Sequence, residues 1–74
     1  MPEIEFLLRG AHITLEALLK ASGQVASGGQ AKVMIQQGLV QVDGQPELRR
    51  ACKLRPGQRV QVQGTTLLVV AAPV

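Results

Sequence analysis

Aromatic side chains are almost missing: Phe6 is the only one in 74 residues. Read as part of the core, it leaves no surface on which planar groups such as nucleobases can stack. Cysteine occurs once, at Cys52, which excludes an internal disulfide framework and a cysteine-rich zinc site. Histidine also occurs once, at His12, with no serine or cysteine placed to form a nucleophile–base pair. Without an acid–base pair, a nucleophile or a ligand set, neither an enzyme nor a metal or other cofactor is expected. His12 reads as a surface residue ahead of a helix. Cys52 reads as a half-buried thiol, whose basic neighbours would lower its pKa. No apolar run approaches the ~20 residues of a membrane span. The opening Met1-Pro2-Glu3-Ile4-Glu5 carries acids where a secretory signal carries bases. A soluble cytoplasmic protein follows as the expectation, with a monomer as its default state. The last absence is the most telling: no acid follows Glu47.

What is present beyond that point is basic. Arg49, Arg50, Lys53, Arg55 and Arg59 make up five of the eight basic side chains, and the net charge is +3. A run of cations without local acids is the footprint expected for a polyanionic partner, although such a run also serves simply to keep a surface solvated. A hydrophobic share of 46% is that of a folded chain, and the length allows one domain over residues 1–74.

The patterning predicts an α+β fold, with two short helices packed on a small, mostly antiparallel, hairpin-rich sheet. Alternation over Glu3–Leu8 suits an edge strand. Thr14 caps a first helix with Leu15, Leu18 and Leu19 on its buried stripe, ending near Ser22-Gly23. Ser27 and Gln30 form a capping box for a second helix that buries Ala31, Met34 and Ile35 and stops at Gly38. Val33 has no evident place. The period then changes to two. Leu39, Val40 and Val42 lead into the Asp43-Gly44 hairpin turn, and Pro46 confines the return strand to an edge or an irregular path. A turn at Arg55-Pro56-Gly57-Gln58 precedes a strand at Arg59–Val62, and Gly64 turns the chain into a last strand from Thr66 to Val70. Residues 71–74 read as a loose tail.

Two elements are candidates for holding an anion. The start of the second helix presents unpaired N–H groups, and Gly28 and Gly29 remove the side chains that would keep a phosphate away. Each glycine costs a helix interior roughly 1 kcal/mol against alanine, which close approach would justify. Lys32 and Gln36 lie on the polar side of the same helix. The second element is the basic segment, where arginine's planar fork matches phosphate and Glu47 is placed to orient an arginine. Gln41, Gln45, Gln61 and Gln63 could add neutral contacts, though glutamine on a strand usually just faces solvent.

The run Ser27-Gly28-Gly29-Gln30-Ala31-Lys32, then Gly38-Leu39-Val40-Gln41-Val42-Asp43-Gly44 and Leu54-Arg55-Pro56-Gly57-Gln58-Arg59-Val60, resembles the S-four type RNA-binding domain. This is the alpha-L motif, and the chain looks most like its short stand-alone bacterial members, with the match running from about residue 13 to 62. The resemblance implies a non-catalytic protein whose partner is structured RNA, ribosomal RNA among the candidates, with no membrane or small-molecule substrate. It implies RNA-binding roles for Ser27, Gly28, Gly29, Gln30, Lys32, Gln36, Arg49, Arg50, Lys53 and Arg55. Many relatives have an arginine where this chain has Gly28, so the phosphate contact of that arginine does not carry over. The competing reading is a small β-rich protein-interaction or carrier module. A sulfur carrier of that class needs a terminal Gly-Gly, and this chain ends Ala71-Ala72-Pro73-Val74.

Overall fold

The structure is a computed structural model that describes residues 3–73; Met1, Pro2 and Val74 lie outside the described residues. Strand β1 (Glu3–Leu8) is followed by the short β2 (Ile13–Thr14), helices α1 (Leu15–Ala21) and α2 (Gly28–Gln36), and strands β3 (Val40–Val42), β4 (Gln45–Pro46), β5 (Lys53–Leu54), β6 (Arg59–Val62) and β7 (Thr65–Ala71). The main sheet has the order β1-β7-β6-β3-β4. All its ladders are antiparallel except β1 with β7, which run parallel with Glu3 opposite Thr66 and Leu8 opposite Ala71.

Both helices begin at side-chain caps. Thr14 Oγ1 accepts from the Ala17 N–H at 3.3 Å, and Ser27 Oγ accepts from the Gln30 N–H at 3.2 Å. The capping box closes one residue further out than its sequence signature suggests. Gln30 Oε1 accepts from the Ala26 N–H at 2.9 Å, so the N–H ahead of the cap is satisfied instead of that of Ser27. Leu15, Leu18 and Leu19 of α1 and Ala31, Met34 and Ile35 of α2 are buried, as their spacing predicts. They meet Val40, Val60, Leu67 and Val69 from the inner face of the sheet in one apolar cluster. Val33, on the other side of α2, is exposed.

Turn chemistry holds the sheet in register. Asp43 (φ 51°) and Gly44 (φ 83°) turn β3 into β4, and Gln63 (φ 51°) and Gly64 (φ 75°) turn β6 into β7. Both pairs have the doubly positive φ of the hairpin turn that follows strand twist. Pro46 falls on the edge strand β4, where its missing N–H interrupts no inner ladder.

The C-terminal segment departs from the loose tail that its composition suggests. Ala71 is the last residue of β7, and the Ala72 N–H donates to the Leu8 carbonyl at 2.9 Å. Parallel pairing with β1 extends the strand, because Leu8 needs a partner on that side. A second, two-stranded ladder had no signal in the sequence: β2 pairs with β5, placing Ile13 opposite Leu54 and Thr14 opposite Lys53. Leu54 is fully buried there.

Candidate nucleic-acid interface

The β2–β5 ladder carries the basic segment to the start of α1. The first N–H groups of a helix have no partner within it, and here the segment supplies carbonyls for two of them. Leu15 N–H donates to the Cys52 carbonyl at 2.9 Å, and Glu16 N–H to the Arg50 carbonyl at 3.1 Å. With their backbone engaged this way, Arg49, Arg50, Ala51, Cys52 and Lys53 form one side of an open depression, and Thr14 and Glu16 form the other. Arg49, Arg50 and Lys53 are exposed cations lining it.

The five cations beyond Glu47 are less free than their sequence suggests. Arg49 donates to Glu47 through both arms of its fork, Nε to Oε2 and Nη2 to Oε1, each at 3.1 Å. Arg59 on β6 is paired with Glu3 on β1 at 3.4 Å, reaching past the intervening β7. These are the two ion pairs among the described residues. The reading of the segment as uncompensated is thus corrected: two acids distant or earlier in the chain reach back to it. Arg50, Lys53 and Arg55 remain outside those pairs.

Glu47 holds the loop in place as well as orienting Arg49. Its carboxylate also accepts the Arg49 backbone N–H at 3.2 Å. Hydrogen bonds from the Arg49 side chain, then from its backbone and the Cys52 thiol, push the Glu47 carboxyl down to about 2 from its ordinary 4.5, against the opposing effect of burial. The same neighbourhood acts oppositely on the thiol. Burial, followed by the hydrogen bond to Glu47, raises the pKa of Cys52, overriding the lowering expected from its basic neighbours. The thiol stays protonated and structural. A folded-state pKa below the unfolded value means that Glu47 stabilises the fold above about pH 4.5 and loses that contribution as the pH falls towards 2. Melting curves of wild type and Glu47→Gln should differ most above pH 4.5, with the variant less stable, and converge near pH 2. A constant difference across that range would show that the carboxylate is not engaged in the fold.

Gly28 and Gly29 prove different in their surroundings. A Cβ at Gly29 would meet only Ser27 Oγ, at 3.9 Å, so this face of the α2 terminus is open to a ligand. A Cβ at Gly28 would stand 2.5 Å from Glu16 Oε1 and 4.0 Å from Lys20 Nζ. The space beside Gly28 is therefore already taken by a carboxylate from α1. Glu16 links the two elements, since it also lines the depression with Arg50 and Lys53. Lys32 and Gln36 are exposed and continue the row of Gly28 along α2, four residues apart. Neither lines the depression, and Arg55 does not either. Arg55 starts the turn whose Gly57 N–H donates to the Val69 carbonyl at 2.7 Å, beside the sheet. In the sequence Glu16 is an ordinary first-turn acid of α1. Its type and helical position were legible, but its place beside Gly28 depends on how α1 and α2 pack.

Residues 6–70 match the model of the S4 domain family. YbcJ of Escherichia coli, whose name assigns it RNA binding provisionally, is 47% identical over 60 residues, spanning 81% of this chain and 86% of that protein. The YbcJ protein of Shigella flexneri, named without a function, is similar to the same degree. The solution structure of the E. coli protein, described as revealing an alpha-L motif involved in RNA binding, superposes with a TM-score of 0.68 at 42% identity. That match covers 96% of this chain and 89% of the other.

Proposed function

We propose that this chain, which belongs to the S4 domain family, is a non-catalytic cytoplasmic protein that binds structured RNA through its phosphates and its shape. The observation that carries the reading is the open depression in which Arg50 and Lys53 stand outside the ion pairs of the described residues, on a segment anchored by the start of α1. Such cations attract the densely charged backbone of RNA, whatever its sequence. The exposed start of α2 at Gly29, with Lys32 one turn on, is a second place suited to a phosphate. Phe6 is packed against the core, so no base-stacking platform accompanies these cations. That favours a folded RNA, which offers a fixed array of phosphates and 2′-hydroxyls, over a strand whose bases must be stacked.

Titration of a labelled RNA hairpin across a salt series tests the reading. Affinity should fall with a log–log slope of about −2 to −5, as expected for roughly three to five phosphate contacts. The hairpin should also bind more tightly than an unstructured oligonucleotide of equal length. A flat salt response, absence of binding at low salt, or a preference for the unstructured strand would each refute the proposal.

A further inference from the structure

An acid in the middle of a phosphate-attracting surface needs a reason. Glu16 is half-buried between Arg50 and Lys53, which line its depression, and Gly28 at the start of α2, against which its carboxylate lies. Its backbone N–H is bonded to the Arg50 carbonyl, while its side chain takes part in neither ion pair of the described residues and accepts none of their hydrogen bonds. The carboxylate thus lies, without a hydrogen-bond partner among the described residues, between two elements that each favour an anion. Between successive phosphates of one strand lies a sugar. A deoxyribose backbone offers only acceptors there and would leave the carboxylate facing like partial charge. A ribose offers its 2′-hydroxyl, a donor that lets a protein tell RNA from DNA.

We propose that Glu16 is a specificity-determining residue that accepts a hydrogen bond from a ribose 2′-hydroxyl, making this surface selective for RNA over DNA of the same sequence and fold. The inference rests on the RNA-binding reading above. It assigns discrimination to the one acid among the charged groups of the depression and attraction to the cations. The competing explanation is structural: a carboxylate in the first turn of α1 and beside the start of α2 favours both helix dipoles.

The test compares an RNA hairpin with the DNA hairpin of identical sequence, on wild type, Glu16→Gln, Glu16→Ala and Gly28→Ala, with melting temperatures measured alongside. Wild type should prefer the RNA hairpin. Glu16→Ala should reduce that preference about ten-fold, the usual scale for losing a hydrogen bond to a charged group, and Glu16→Gln, which keeps an acceptor, should reduce it less. Gly28→Ala leaves the charge unchanged but puts a methyl group where the carboxylate stands, so it too should reduce the preference. If the Glu16 variants bind both hairpins more tightly with an unaltered ratio and melt at lower temperature, Glu16 serves the helices and the proposal is overturned. Failure of wild type to bind the RNA hairpin at low salt would refute the RNA reading itself. Binding of both hairpins equally by wild type would refute only the role of Glu16.

Discussion

Reversing the two free cations of the depression, Arg50→Glu with Lys53→Glu, is expected to lower RNA affinity on the order of a hundred-fold while leaving the fold intact. Each reversal removes one phosphate contact and adds a repulsion, so the salt slope should become shallower by about two. Both side chains are exposed and outside the ion pairs, and surface substitutions of that kind usually change stability by about 0.5 kcal/mol or less. Their backbone atoms do the structural task, through the Arg50 carbonyl and the Lys53–Thr14 pairing, and substitution spares those atoms. Arg55→Glu is the internal comparison, since Arg55 lies outside the depression and should cost far less. Filter binding and thermal melts on the same preparations provide both readouts. Unchanged affinity in the folded double variant would move the site to α2, around Gly29 and Lys32.

Leu54→Ala should lower stability by about 3 kcal/mol, within the usual range for a buried leucine. In a domain of this size that is a drop in melting temperature of roughly 12–24 °C. Leu54 is fully buried and belongs to a ladder only two residues long. Its side chain is the apolar anchor that holds the whole Arg49–Lys53 segment against α1. A cavity there weakens the core and the attachment of the basic segment together, so RNA affinity should fall even at temperatures where the variant remains folded. A drop of under about 3 °C would mean that the segment is held mainly by its carbonyl caps.

Much of this was readable in the sequence because local rules and tertiary demands agree. Thr14 and Ser27 cap the helices they precede, and Asp43-Gly44 turns β3 into β4. The leucines of α1 face inward because their spacing leaves no other stripe for the core. What escaped the reading depends on residues far apart in the chain. The β2–β5 ladder has two residues per strand, too few for a periodic signal. The parallel partner of β1 is distant in sequence, so the order to which Ala71 and Ala72 contribute could not be seen locally. The candidate surface shows the same division. The cations after Glu47 were evident, whereas the pairing of Arg59 with Glu3 and the approach of Glu16 to Gly28 required the folded chain.

The parallel pairing of β1 with β7 also sets an order of events in time. Glu3–Leu8 pairs with Thr66–Ala71, and both helices and every other strand of the described residues lie between the two partners in the chain. Closing so long a loop costs entropy before any contact repays it, which makes this pairing a natural late step in folding. Until then β1 is an unpaired strand with open edges, the kind of edge that recruits other chains. Glu3 and Glu5 place negative charge on that edge, which disfavours its pairing with a second copy of the chain. Once β7 is in place, Arg59 takes up Glu3.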